Sequence, residues 1–382
     1  MKLLIGADLV PTKTNEGLFA QGDVLTLFGE ELLQIINSAD YKIFNLEMPL
    51  TDIKTPIEKS GPVLCAPTST IEGYKALSVN LVTVANNHIM DHGDQGLQAT
   101  VDLLAANGID YVGCGNSLQE TKKVHLFECD GKTIGVYACA EKEFSIAKEN
   151  APGANPFDPL ESLDRVAVLK AQCDYVIVLY HGGKENYRYP TPRLQKVCRK
   201  LVEKGADLVL CQHSHCIGCE EKYLDGTIVY GQGNTLFDCS NREGWQTGLI
   251  VQIEEDFKIT YLPLCKTQNT VRLAVGAAGE KILAAFKQRS EEIRQPNAIE
   301  EKYRELTDDL WTSYLLKLSA INSRSFWMRA INRLTGQRFT KWLLSHKYNK
   351  GALLAVLNCM ECETHHEAAC YGIAELIKNE QK

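Results

Sequence analysis

The chain has 382 residues, 45% of them hydrophobic and 23% charged, and a net charge of −7. That balance describes a globular protein with a real core, and the acidity argues against nucleic acid as an obligate partner. Fourteen cysteines without a repeating spacing in a chain this long read as reduced thiols, not as a disulfide framework.

Met1 leads directly into the apolar run 2–6, the first predicted strand. No basic segment precedes a long apolar one, and no stretch reaches the roughly 18 apolar residues of a spanning helix. The expectation is therefore a cytoplasmic protein without a transmembrane segment. Further β-branched or apolar runs predict strands at 41–45, 81–85, 133–138, 175–180, 208–211 and 227–230. Amphipathic stretches between them predict helices at 24–38, 95–107, 160–172 and 192–204. Asn107-Gly108 and Lys204-Gly205 fit helix C-caps that feed the next strand. Residues 248–253 and 258–264 read as a closing hairpin. After about residue 276 the strand patterns stop and helical periodicity continues to the end. The expected organisation is an α/β domain over 1–275 and a helical extension over 276–382, with Gly276 to Gly279 as the joint.

The polar residues fall at the ends of the predicted strands. Asp8 follows the first, Asn45 and Glu47 the second, and Asn86, Asn87 and His88 the third. His181 ends the run 176–180, and His213 and His215 follow the run 207–211. In a mostly parallel sheet these ends share one edge, where ligands bind in open α/β folds. Carboxylate, amide oxygen and imidazole together suit divalent ions such as Mn, Fe or Zn. Taken singly, Asp8 is an ordinary turn or cap residue and His181 an ordinary buried histidine. Two of only nine histidines at 213 and 215, directly after an apolar strand, are harder to read that way.

The ordered elements are Gly6-Ala-Asp8, Asn45-Leu-Glu47, Ala85-Asn-Asn-His88-x-x-Asp91-x-Gly93, His181-Gly-Gly-x-Glu185, Gly205-Ala-Asp207-x-Val209, His213-x-His215 and Tyr230-Gly-Gln-Gly-Asn234-x-x-Phe237. In this order, over about residues 1–265, the chain resembles the CapA family (bacterial capsule synthesis, poly-γ-glutamate type) of the calcineurin-like metallophosphoesterases. The resemblance implies a four-layer α/β/β/α sandwich with a dinuclear metal site at one edge. Asp8 and His215 would hold one metal, Asn87, His181 and His213 the other, and Glu47 would bridge them. His88, oriented by Asp91, would be the general acid or transition-state stabiliser. Asn45, Asn86, Glu185 and Asn234 are candidate substrate contacts.

Two positions depart from the superfamily pattern. Val10 stands where Asp-x-His would supply a further ligand, and Glu47 stands where Asp is usual. The expectation is one complete metal set and a second set that is short of a ligand, with Glu185 the candidate to complete it.

Two cysteine pairs, Cys216/Cys219 and Cys359/Cys362 with His365 and His366 nearby, lack a second half at zinc-site spacing and are read as unliganded. Between Trp311 and Met360 there is no acidic residue. Lys317, Arg324, Arg329, Arg333, Arg338, Lys341, Lys347 and Lys350 accumulate there beside Phe326, Trp327, Phe339 and Trp342. The plain reading is a solvated helix face. The functional one is a docking surface, over 317–350, for an anionic polymer, a phosphorylated substrate or an acidic partner, and an anionic lipid surface would also fit.

The function expected is metal-dependent hydrolysis of a phosphoester or of an anionic polymer or its precursor, by an activated water with His88 assisting. The alternative is a non-catalytic metal- or polymer-binding accessory protein. No Gly-rich nucleotide loop is present to support a ligase or transferase.

Overall fold

The apolar runs that end in metal-competent residues become parallel strands, divided between two facing sheets. In the computed structural model the described residues are 1–237, 242–318, 326–335 and 338–380. Sixteen strands lie among them: β1 (Leu3–Leu9), β2 (Tyr41–Asn45), β3 (Leu81–Thr83), β4 (Asp110–Val112), β5 (Cys114–Gly115), β6 (His125–Cys129), β7 (Lys132–Ala140), β8 (Gly153–Ala154), β9 (Tyr175–His181), β10 (Leu208–Gln212), β11 (Glu220–Tyr223), β12 (Gly226–Tyr230), β13 (Asn234–Leu236), β14 (Thr247–Glu254), β15 (Lys258–Thr267) and β16 (Thr270–Leu273). The first sheet has the order β16-β15-β14-β1-β2-β3-β4, with β13 also paired to β1. The second has the order β11-β12-β10-β9-β7-β6. β1 to β4 are mutually parallel, as are β7, β9, β10 and β12.

Strand alternation explains the layers. Leu3, Ile5, Ile43 and Leu81 of the first sheet meet Val136, Ile177, Leu179, Leu208 and Leu210 of the second in one central core. Their sequence neighbours Leu4, Phe44 and Val82 point the other way, beneath a helical layer that includes Phe28, Leu32, Leu97 and Leu104. On the second sheet Tyr137, Val176, Val178 and Val209 pack outward on Val166, Leu194, Cys198 and Leu201. Strands buried on both faces must be apolar throughout, which is why they read as continuous hydrophobic runs. Each fully buried Leu, Ile or Val contributes about 1.5–3 kcal/mol of transfer free energy. The result is the expected four-layer α/β/β/α sandwich.

One predicted helix needs correction. The stretch 24–38 is two helices, Val24–Phe28 and Glu30–Asn37, broken at Gly29 with φ of 72°. A side chain at Gly29 would also meet Arg272, whose Cδ lies 2.6 Å from the ideal Cβ position. The glycine stops predicted after two other helices are present, with φ of 67° at Gly108 and 108° at Gly205.

Two compact units divide the chain, Met1–Glu301 and Lys302–Lys382. The helix Gly276–Glu292 begins where the sequence texture changes and belongs to the first unit, with Phe286 edge-on to Tyr261 of β15 at 4.9 Å. The second unit is helical, and Arg333, Arg338, Lys341, Trp342, Lys347 and Lys350 are exposed in it. Arg324 and the side chains of Phe326, Trp327 and Arg329 lie outside the described residues. No helix among the described residues is long and apolar enough to cross a membrane. Every described cysteine is free.

Candidate metal centre

Because β1, β2, β3, β9 and β10 are parallel within their sheets, their C-terminal ends deliver side chains to one edge. Asp8 pairs in register with Asn45 on one side and Asn234 on the other, and Gln212 pairs with His181. The residues that follow these positions are Glu47, the Asn86-Asn87-His88 turn and the His213-Ser214-His215 turn. His213 and His215 both adopt positive φ, 85° and 53°. That conformation is uncommon for a non-glycine residue, and here it brings both imidazoles into the site.

Two clusters result, each with its ligand atoms within 4.8 Å of one another. Glu47, His181 and His213 form the first, and Asp8, Glu47 and His215 the second, so Glu47 belongs to both. In the first, His213 Nδ1 lies 3.1 Å from His181 Nε2, and Asn87 Oδ1 lies 3.0 Å from the same nitrogen. In the second, His215 Nδ1 is 3.2 Å from Asp8 Oδ2 and 2.9 Å from Asn234 Oδ1. Asn45 Nδ2 donates to Asp8 Oδ1 at 2.7 Å, and Asn86 Nδ2 donates to Asn45 Oδ1 at 3.2 Å and to the carbonyl of Leu46 at 2.8 Å. Asn45 thus braces the carboxylate, and Asn86 braces Asn45.

Glu47 tests whether these residues fit a metal. It is fully buried, and neither oxygen has a hydrogen-bond partner. A buried carboxylate without donors is costly, and a cation between the imidazoles and the carboxylate removes that cost. The donor set of oxygen and imidazole matches a borderline divalent ion.

The charges follow the same geometry. Burial, then the neighbouring His181, His215 and His88, hold His213 well below the usual histidine range. Burial also opposes charge on His215, but the Glu47 charge and the Asp8 hydrogen bond outweigh it and raise that imidazole to about 9. For Asp8, burial favours the neutral acid, and the bond and charge of His215 overcome it to leave the carboxyl below its usual range.

His88 and Asp91 are brought together. Nδ1 of His88 lies 2.6 Å from Asp91 Oδ2, and Asp91 is fully buried. Lys59, which the sequence reading did not single out, completes this group: its ammonium bonds Asp91 Oδ1 and lies 3.1 Å from His88 Nδ1. Glu141 was also missed. It directly follows β7 at the same edge, accepts from the Gly183 N–H at 3.1 Å, and its carboxyl is pushed up, chiefly by burial. With Asn87, Lys142, Glu143, His181 and His213 it lines a cavity of about 270 Å³. Trp245 and Phe237 flank His215, with ring centroids 4.5 and 5.5 Å away.

The proposed substitute for the missing ligand fails. Glu185 is exposed in the loop after β9 and joins neither cluster. Val10 itself packs in the apolar core under the first sheet. Neither cysteine pair forms part of a metal-competent cluster among the described residues.

The sequence model of the family described as "Bacterial capsule synthesis protein PGA_cap" matches residues 5–239. The PGA biosynthesis protein CapA of Bacillus subtilis is 31% identical over 216 residues, which cover 55% of this chain and 56% of that protein. The capsule biosynthesis protein CapA of Bacillus anthracis is 27% identical over 219 residues, 55% of this chain and 52% of that one. The chain thus spans about half the length of the curated relatives it matches. Among solved structures, a phosphatase from Mycoplasma pneumoniae aligns over 71% of this chain and 94% of its own, with 13% identity and a TM-score of 0.46.

Proposed function

Because the chain belongs to the bacterial capsule synthesis (PGA_cap) family, we propose that it is a metal-dependent hydrolase-like protein of capsule or poly-γ-glutamate metabolism. Its substrate is a phosphoester, or an anionic polymer or its precursor. The observation that carries this reading is Glu47, a buried carboxylate shared by two imidazole-bearing clusters with neither oxygen hydrogen-bonded. Divalent ions bound there supply an activated water and offset charge on a reacting oxygen. Asn87, His181 and His213 hold one ion with Glu47, and Asp8 and His215 hold the other. Asn45 and Asn86 fix Asp8, and Asn234 orients His215. His88 has its Nδ1 on Asp91 and keeps Nε2 for proton exchange with the substrate. The cations of 317–350 serve to retain an anionic polymer or an acidic partner, read out as salt-sensitive retention on immobilised polyglutamate.

A second reading is favoured by Val10: with no ligand at that position, the centre serves binding, and the protein is an accessory to polymer assembly. The deciding experiment is metal analysis of the purified chain with turnover of p-nitrophenyl phosphate and bis(p-nitrophenyl) phosphate after Mn or Zn addition. Bound metal with turnover that H88A abolishes supports the hydrolase. Metal without turnover favours the accessory, and a metal-free wild type that takes up no ion sinks the metal centre and the hydrolase with it.

A further inference from the structure

Lys59 belongs to the irregular segment between β2 and the helix Ile71–Ala76, where residues 52–56 are all exposed. Its own side chain is nevertheless only 1% exposed, and Asp91 opposite it is 0% exposed. A lysine drawn out of an exposed loop into the interior must gain a specific partner, because an ammonium leaves water only at considerable cost. Three contacts from this loop converge on Asp91. Lys59 bonds Oδ1, the Leu64 N–H donates to Oδ2 at 2.7 Å, and the Ile57 N–H donates to the Asp91 carbonyl at 3.0 Å. The next residue is tied as well, since the Thr55 N–H donates to His92 Nδ1 at 2.8 Å.

These bonds decide how His88 is held. At 2.6 Å, Nδ1 of His88 and Oδ2 of Asp91 must share a proton, and Asp91 already accepts from Lys59 at Oδ1 and from the Leu64 N–H at Oδ2, which places it as the acceptor. Nδ1 therefore carries the hydrogen, and Nε2 is left for the site. Lys59 holds the other oxygen of Asp91 and so fixes the carboxylate that faces Nδ1. Phe144 closes over the ammonium with its ring centroid 5.4 Å from Nζ, and it lies next to Glu143, which lines the cavity at the first cluster.

We propose that Lys59 is a positioning residue of the His88–Asp91 pair: it locks the imidazole in the Nδ1–H tautomer and couples the seating of the 51–66 loop to the geometry of the centre. The inference rests on the hydrolase reading for its kinetic consequence, not for its structural one.

The test uses the full chain with ¹⁵N-labelled histidine and K59M and K59R variants, His88 being assigned by its loss in H88Q. Long-range ¹H–¹⁵N correlation is expected to show the Nδ1–H tautomer in the wild type and K59R, and a mixture in K59M. With Mn and bis(p-nitrophenyl) phosphate, K59M should lower kcat about 10–100-fold with KM within about twofold, the pattern of a misplaced catalytic group. K59R should recover most of that loss. A folded K59M with the wild-type tautomer overturns the proposal, whatever its kcat. If the wild type turns over no ester, the hydrolase reading fails by itself and the tautomer still decides the role of Lys59. Should K59M not fold, K59Q, which keeps a donor to Asp91 without the charge, carries the same comparison.

Discussion

Oε1 of Glu47 lies 3.2 Å from Nε2 of His181, yet neither Glu47 oxygen accepts a hydrogen bond. The contact is a proximity of charge-bearing groups without the donors that would satisfy the carboxylate. Its sign therefore depends on metal. In chelator-treated protein, E47Q should be more stable than wild type by about 1–3 kcal/mol, the cost of an unsatisfied buried polar group. With ion at about a hundred times its dissociation constant, wild type should gain about 2.7 kcal/mol and E47Q almost nothing. Urea melts with and without Mn check both; a chelator-treated wild type more stable than E47Q would show that Glu47 is satisfied by other means.

The two clusters should not bind equally. The first offers four groups, with Asn87 Oδ1 beside the facing nitrogens of His181 and His213, while the second lacks a ligand at Val10. In the second, Asp8 and His215 already satisfy each other in part. Equilibrium dialysis should resolve a tighter and a weaker ion. H181A and H213A should remove the tighter one. H215A should remove the weaker and reduce the tighter affinity by about 10–100-fold at most, the range for losing an outer partner.

Much of the centre was legible in the sequence because it hangs on strand ends. Once the runs before Asp8, Glu47, His181 and His213 are read as parallel strands, their common edge follows. Lys59 was not legible: its segment has no periodicity, and its inward turn is set by contacts to Asp91 that are distant in sequence. Glu141 was missed for a smaller reason. β7 runs to Ala140, two residues beyond the predicted end, so the carboxylate fell outside the strand-end pattern. Glu185 was over-read as a metal ligand, since nearness to His181 in sequence does not keep a loop residue in the clusters. Two- and three-residue strands such as β5, β8 and β13 are fixed by tertiary pairing and leave no period to detect. The break at Gly29 did carry a signal, the glycine itself, and was missed because the amphipathic pattern continues on both sides of it.

Trp245 gives an optical report on the second cluster. Its ring lies 4.5 Å from His215 and 5.3 Å from Phe237, whereas Trp311 and Trp342 belong to the second unit. Co(II), which accepts excitation from a nearby indole, should quench emission in two phases that follow the two ions. W245F should lose this quenching and keep the binding of both ions. A W245F protein with unchanged quenching would place the responsive indole elsewhere.

Acid should weaken the protein at a point away from the metal centre. Tyr41 of β2 and His125 of β6 join the two sheets, with the Tyr41 hydroxyl 2.7 Å from His125 Nε2 and the Tyr41 ring stacked on Phe127 at 3.7 Å. Burial lowers the His125 pKa below its ordinary 6.5, and the Asp110 charge offsets this only in part. The folded state thus resists a proton that the unfolded chain accepts. A depressed pKa contributes stability that is present above 6.5 and is lost as the pH falls through the folded value. The mechanism is visible in the contact, since a protonated Nε2 can no longer accept from the Tyr41 hydroxyl. H125F should flatten the acid limb of stability between neutral pH and the carboxylate range. It should also cost stability at neutral pH through the lost hydrogen bond, by about 1 kcal/mol. Urea midpoints of wild type and H125F across that range check the sign; parallel curves would mean that His125 titrates alike in both states.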